Sequence, residues 1–575
     1  MLSKKKLLLL ILSTGAFLRF FNLTWGGGYY FHPDENNIAH SVLNLSWPKL
    51  DPQFYAYGQF SPYLTYFSAQ SYNLFSFTHH QKNLSFSEVI FFLRFWSALS
   101  STAIIYLTYL IGKKFFHFHS PFSLIPPFLT AFIPGLIQAA HFGTTESLLT
   151  FFFIAIIYFS LNFLKTNQKR NLLIIGTLSG LAIGTKISGA IFLITPLVTI
   201  LIHSIVSAKV TNKTFFSKLK SAVILTSIII IPTAFFTILS SPYLILKPDE
   251  SFHILKYETN IAQGKIPIFY TRQFRHTVPY VFQIKKIFPY ALGWPLFILG
   301  TIGFLLTTIS LIKNLLKKDK IKNKLDIGYW ILNIGFLVYF LYNGQLFVKW
   351  TRFMAPLFPF FALFATYGLK KIYHYLSQKI SSPTILHALY FILLLLSILP
   401  GTLFLTYVYA QPDIRLTASK WIYQNIPKNS IILSEAGNVI NLPISNIQTQ
   451  KKYLKVINFD FYNLDKDPQL QKQLVSILEQ ANYIIIPSRR IFTNHLHSPH
   501  QYPLTAKYYQ SLFSGQLGFK KIKQFNFYSR LPIFGDELAE ETWSIFDHPV
   551  IRIYQKTVPY SPNQYNNLLL GSPTY

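Results

Sequence analysis

Apolar stretches of roughly 20 residues recur along most of this chain, and that is about the length a helix needs to cross a ~30 Å hydrocarbon core. They run Leu7–Leu23, Val89–Gly112, Pro121–Gln138, Ser147–Leu164, Leu172–Thr185, Ile187–Val206, Ala222–Ser240, Leu292–Ile312, Ile327–Tyr342, Met354–Leu369 and Thr384–Val408. About eleven spans, and hence a polytopic α-helical membrane protein, are predicted. Composition agrees: hydrophobic residues make up 51% of the 575 and charged residues only 13%, against roughly 25% charge in a soluble domain. The formal net charge of +31 would suit a nucleic-acid binder, but not one this apolar. Disorder, a coiled coil and a secreted mini-protein are excluded on the same grounds. Cysteine is absent, which rules out disulfides, thiolate metal sites and cysteine nucleophiles.

Charge between the stretches sets the topology. Lys4-Lys5-Lys6 before the first run resembles a signal peptide, but the run is long, contains Arg19 and has no clear cleavage site after it. It reads as an uncleaved first span with a cytoplasmic N-terminus. Lys and Arg concentrate in Lys113–Lys114, Lys165–Arg170, Lys209–Lys220, Lys313–Lys324 and Lys370–Lys379, the alternate links that this orientation places inside. The expectation is a multi-pass plasma-membrane protein: a membrane domain over 1–410, with outer loops 25–88 and 241–291, then an extracytoplasmic α/β domain over 411–560. Strands are expected at Tyr483–Pro487 and Val550–Tyr554, helices around Gln469–Gln480 and Thr505–Phe513. The Pro-, Asn- and Ser-rich end, 561–575, reads as a disordered tail. No internal repeat or inverted symmetry of the transporter kind is visible.

Charged residues near the outer face carry the chemistry. Phe31-His32-Pro33-Asp34-Glu35-Asn36-Asn37 places adjacent carboxylates after the first span. They are either the acidic first turn of a helix opened by Pro33 or a general base held where water meets lipid. His141-Phe142-Gly143-Thr144-Thr145-Glu146 offers another acid at the start of a span. It is either a capped helix start or a group facing a cavity. Leu172–Thr185 covers roughly 21 Å at 1.5 Å per residue, so the turn holding Lys186 stops below the outer surface, where an ammonium needs water or an anion. Arg352, in Lys349-Trp350-Thr351-Arg352-Phe353, has the fork that matches a phosphate, with interfacial anchoring as the other reading. Arg94 is a weaker case of the same kind. Together these acids and cations suit a phosphate-bearing lipid and a hydroxyl nucleophile.

Other patterns read as structure. Gly26-Gly27-Gly28 follows a span, not a strand, and is no phosphate loop. His79-His80 and His117/His119 lack carboxylate or cysteine partners, so no metal site is expected. Asp547-His548-Pro549 has no serine elbow and reads as a turn.

Taken in order, Asp34-Glu35, Glu146, Gly180-Leu181-Ala182-Ile183-Gly184-Thr185-Lys186 and Arg352-Phe353-Met354-Ala355-Pro356-Leu357-Phe358-Pro359 resemble one family over the first 410 residues. It is the GT-C glycosyltransferases of the protein O-mannosyltransferase and aminoarabinose-transferase type. Ile414–Ile422 and Ala539–Pro549 extend the resemblance to the outer domain of bacterial members. The family usually has Asp where this chain has Glu146. The resemblance implies an inverting enzyme that moves a sugar from a polyprenyl-phosphate donor to a hydroxyl on a protein, lipid or glycan. On that pattern Asp34 activates the acceptor, Glu35 and Glu146 place the acceptor or the first loop, and Lys186, Arg352 and Arg94 hold the donor phosphate. His32, Tyr55, Tyr57, Tyr63 and His141 line the cavity. No cofactor is expected, a divalent cation not being required. A polyprenyl-glycolipid flippase is the competing reading, and a non-catalytic wall-binding scaffold a third.

Overall fold

The computed structural model describes residues 3–75, 83–116, 120–211, 215–316, 324–436, 441–444, 454–527, 535–571. His79-His80 and His117/His119 lie outside them. Two compact units emerge: one joins 1–23, 34–263 and 278–405, the other 24–33, 264–277 and 406–575.

The first unit is helical: α1 (Lys4–Phe20), α2 (Pro33–Leu43), α3 (Phe60–Phe75), α4 (Phe86–Phe115), α5 (Ile125–Ala131), α6 (Pro134–His141), α7 (Glu146–Thr166), α8 (Lys169–Thr185), α9 (Ile194–Thr211), α10 (Phe215–Ser240), then Pro248–Ala262, Trp294–Leu316, Lys324–Gly344, Phe358–Ser377 and Pro383–Phe404. Among the described residues eight helices are long and apolar enough to cross a membrane, or nine if the bent α5–α6 pair counts as one. α1 and α8, at 17 residues each, stand at the lower limit of a span. The chain is thus a multi-pass membrane protein.

The α5–α6 break explains Arg19. The pair bends by 49° where Pro134, which lacks an N–H and crowds the preceding turn, begins α6. Carbonyls left over at the break need donors, because the bilayer supplies none. Arg19, fully buried, donates to Thr130 O at 3.0 Å and Ala131 O at 2.9 Å, while its Nε reaches Ser101 Oγ at 2.8 Å.

α8 packs on α10 through a row of glycines. A Cβ on Gly176 would come 2.4 Å from Ile229 O, and one on Gly180 2.7 Å from Thr233 O. The backbones approach as small-xxx-small helix pairs do, and Thr233 Oγ1 donates to Gly176 O at 3.2 Å.

In the second unit β1 (Ile431–Glu435), β2 (Lys455–Phe459), β3 (Tyr483–Ile486), β4 (Phe519–Phe525) and β5 (Ile551–Lys556) form one sheet in the order β2-β1-β3-β5-β4. The β1 pairs are parallel and the β5 pairs antiparallel. Alternation along the strands divides two cores. Leu433, Ile484, Ile486 and Tyr554 pack with Leu478, Tyr508 and Tyr509; Ile432, Ile485, Ile551 and Ile553 pack with Ile414, Ala418 and Ile422. The pieces 24–33 and 264–277, expected as outer loops of the membrane domain, are held in this unit. The Arg415 guanidinium lies 3.5 Å from the Phe31 ring centre, and Gln273 Nε2 donates to Glu540 Oε1 at 2.8 Å.

The end of the chain corrects an expectation. Pro562–Leu569 is a helix, not a disordered tail, with Ser561 and Gln564 forming a capping box and Tyr565 and Leu569 buried. The composition that reads as linker is here a helix start, with Pro562 in its first turn.

Asp547-His548 is more than a turn. His548 Nδ1 faces Asp547 Oδ1 at 2.5 Å and Nε2 faces Asp536 Oδ2 at 2.6 Å, so neither ring nitrogen is left for a serine. Burial opposes the charged ring, but Asp547 and Asp536 outweigh it and push its pKa up to about 10. A raised folded pKa stabilises fully below the unfolded value near 6.5, and that stability is lost as pH rises through about 10. The parent's melting temperature is therefore expected to fall across this window relative to that of His548→Gln. Parallel curves for the two proteins would show that the ring is not so coupled.

Candidate active site

Asp34 enters the first turn of α2 directly after Pro33, and Arg352 sits in the 3-10 turn Thr351–Leu357. Far apart in sequence, they form an ion pair with side chains 20% and 21% exposed. The guanidinium lies over the Trp350 ring at 4.6 Å, which fixes its plane. The next residue, Phe353, continues the site: its carbonyl accepts from Tyr339 Oη at 3.0 Å, and its ring lies 5.1 Å from Lys186 Nζ.

Lys186 caps α8 in extended conformation. α8 begins at Lys169, three residues before the apolar stretch, and still ends at Thr185, so the lysine occupies the apex of a short helix as the spacing predicts. Its Nζ stands 3.8 Å from Glu146 Oε1 and 4.9 Å from the Tyr57 ring centre. Glu146 opens α7, and the Thr145 hydroxyl makes no capping hydrogen bond there. Asp34, Arg352, Lys186, Glu146 and Tyr57 thus share one neighbourhood with two acids and two cations. Partial exposure leaves the cations open to an incoming anion, and such an anion competes with the acids already paired to them.

Glu35 and Arg94 form a different object. Arg94 Nε and Nη2 each donate to a Glu35 carboxylate oxygen at 2.7 Å, and Nη1 donates to Leu23 O at 2.7 Å. Gly143 N adds a further donor to Glu35 Oε1 at 2.7 Å. With side chains 1% and 0% exposed, the guanidinium is committed to this pair and is not placed to hold a donor phosphate. Glu35 is likewise enclosed, by Arg94 and the Gly143 amide. Gly143 must be glycine, since a Cβ there would lie 2.6 Å from Leu93 Cβ.

Three other expected cavity residues are placed in the framework. His141 is fully buried, with Nδ1 at 2.8 Å from Ile137 O and Nε2 at 2.8 Å from Phe21 O. Tyr55 Oη donates to Asp51 Oδ1 at 2.7 Å, and Asp51 pairs with Lys247 Nζ at 3.0 Å. Tyr63 Oη donates to Leu50 O at 3.0 Å. His32 belongs to the second unit, its ring 4.4 Å from that of Phe546.

Sequence reasoning missed Gly58 and Glu258. Gly58 N donates to Thr185 O at 3.1 Å, and a Cβ on Gly58 would meet Gly184 O at 2.0 Å. The first loop therefore lies backbone against backbone on the turn that presents Lys186. Gly58→Ala has to push the two apart. Glu258, in the helix Pro248–Ala262, lies within electrostatic reach of Lys186. Lys349, beside Trp350, is 2% exposed, and burial lowers its pKa to about 8. Among the described residues no group of three His, Asp or Glu side chains is arranged to hold a metal ion.

Comparison with known proteins agrees with the resemblance read from the residues. Residues 83–236 match the family described as dolichyl-phosphate-mannose-protein mannosyltransferase. No curated protein sequence matches the chain. Among solved structures, the apo oligosaccharyltransferase of Archaeoglobus fulgidus aligns with a TM-score of 0.50 and 12% identity, covering 96% of this chain and 88% of that one. ArnT from Cupriavidus metallidurans bound to undecaprenyl phosphate aligns at 0.43 and 12%, covering 96% and 98%. The mycobacterial arabinofuranosyltransferase AftD aligns at 0.38 and 13%, covering 97% and 40%. The first of these fixes the architecture: the chain has the GT-C fold with a C-terminal mixed α/β unit.

Proposed function

We propose that a membrane protein of this fold, carrying this half-open set of acids and cations, is an inverting glycosyltransferase. It moves a sugar from a polyprenyl-phosphate donor to a hydroxyl acceptor at the outer membrane face, with its N-terminus in the cytoplasm and its C-terminal unit outside. The observation that carries the reading is the Asp34–Arg352 ion pair beside Lys186. A base and two phosphate-binding cations share one partly exposed neighbourhood, which the sealed Glu35–Arg94 pair does not offer. The family matched over residues 83–236 is described by a lipid-phosphate-linked mannose donor, which supports transfer over flipping.

In this mechanism the donor phosphate binds Lys186 and Arg352 and draws Arg352 away from Asp34. The freed carboxylate takes the proton of the acceptor hydroxyl as its oxygen attacks the anomeric carbon. The bond from that carbon to the phosphate oxygen breaks on the opposite side, the lipid phosphate leaves with the electron pair, and configuration inverts. The two cations stabilise charge growing on the leaving phosphate, a contribution of several kcal/mol in a partly dry site. Glu146 holds Lys186 in place, and Tyr57 supplies an aromatic wall.

Purified protein in vesicles, given a panel of radiolabelled polyprenyl-phosphate monosaccharides and a membrane extract as acceptor, tests this. Label in a new glycosidic bond is the expected result. Label that crosses the bilayer without forming one would overturn the reading in favour of a flippase.

A further inference from the structure

The second unit carries a cleft that the transfer reaction does not use. It has a volume of about 570 Å³ and lies between the end of the helix Pro503–Ser514, the helix Arg490–Leu496 and strands β4 and β5. That is within the usual range for small-ligand sites, about 300–1,000 Å³. One wall is aromatic. Phe513, 39% exposed, stacks on Tyr554 at 6.3 Å and meets Phe492 edge-on at 5.1 Å. The other wall is cationic, with Lys520, Lys521 and Arg552.

The side chains leave binding capacity there. Arg552 pairs with Glu537 through Nη2 at 2.5 Å and lies over the Phe492 ring at 5.3 Å. Its Nη1 is buried with no hydrogen-bond acceptor among the described residues, and such a donor is costly to leave unmatched. Lys521 Nζ donates to Gln524 Oε1 at 2.9 Å, and Lys520 is exposed. Three cations against the single carboxylate of Glu537 leave the cleft positive. Lysines on β4, an edge strand, also discourage strand pairing. That role explains the lysines, but neither the exposed Phe513 ring nor the unmatched guanidinium nitrogen.

We propose that this cleft binds an anionic saccharide, with a sugar ring laid on Phe513 and a carboxylate or phosphate group on Arg552 and the two lysines. Aromatic faces suit the apolar face of a sugar ring, and the guanidinium fork suits either anion. An acidic peptide supplies the charge but no flat apolar face. The inference concerns binding alone and stands whether or not the membrane unit transfers sugar.

Calorimetric titration of the full-length protein in nanodiscs tests it. The probes are hexagalacturonate, a phosphorylated hexasaccharide, neutral maltohexaose and hexaglutamate. At least one anionic saccharide is expected to bind saturably, and which one tells carboxylate from phosphate as the preferred group. The K520Q/K521Q pair, on exposed side chains, and Phe513→Ala should each weaken that binding about tenfold or more, as loss of a charge-assisted or aromatic contact does. Maltohexaose and hexaglutamate should bind at least about tenfold more weakly than the preferred saccharide. The proposal fails if neither anionic saccharide binds, if both variants bind it as the parent does, or if hexaglutamate binds equally well.

Discussion

Asp34→Asn is expected to lower sugar transfer by about 10²–10⁴-fold, the range attributed to a positioned general base, while leaving donor affinity unchanged or higher. The amide keeps the shape of the carboxylate and loses its basicity and charge. Arg352, which Asp34 holds in an ion pair, then meets the donor phosphate without a competitor. Initial rates over a range of donor concentration separate the two effects: kcat should fall and KM should not rise. Transfer by the Asn protein within about tenfold of the parent would remove Asp34 from the chemistry. A matching rise in KM would make it a binding residue instead.

The largest structural effect is expected one residue further on. Removing either member of the Glu35–Arg94 pair leaves a buried charge without its partner, at a cost of about 3–5 kcal/mol. Glu35→Leu and Arg94→Leu should each sharply shorten the lifetime of the folded protein in detergent, followed by fluorescence-detected size exclusion over time at fixed temperature. The double Leu variant should recover much of the loss, because two apolar groups leave no charge stranded. Recovery of stability without recovery of transfer would fit a pair that positions the first loop. Single variants as long-lived as the parent would show that the pair does not hold that loop.

Much of the architecture was legible because the bilayer imposes a period and a length that few other environments demand. The predicted stretches are helical, with Pro121–Gln138 broken by a 49° bend. The two strands predicted for the second unit fall within two residues of β3 and β5, and Lys186 follows the end of α8. What could not be read was partnership. Arg94 and Arg352 look alike in sequence, each a guanidinium near the outer end of an apolar run. Only the fold shows that one is fully engaged by Glu35 and the other stays partly exposed beside Asp34. Local composition also misled at the C-terminus, where Ser561, Pro562 and Gln564 start a helix whose Tyr565 and Leu569 are buried. The contact between Gly58 and Gly184 left no mark in either segment taken alone.

That contact also sets an order of events. Gly58 bonds to Thr185, and Gln59 N to Ser241 Oγ, a partner 182 residues later in the chain. At a synthesis rate of about 5–20 residues per second, Gln59 waits about 10–40 s for that partner to be made. The Asp34 end of the first loop can dock early, through Glu35 on Arg94 and Gly143, whereas its Gly58–Gln59 end is the last part to be fastened.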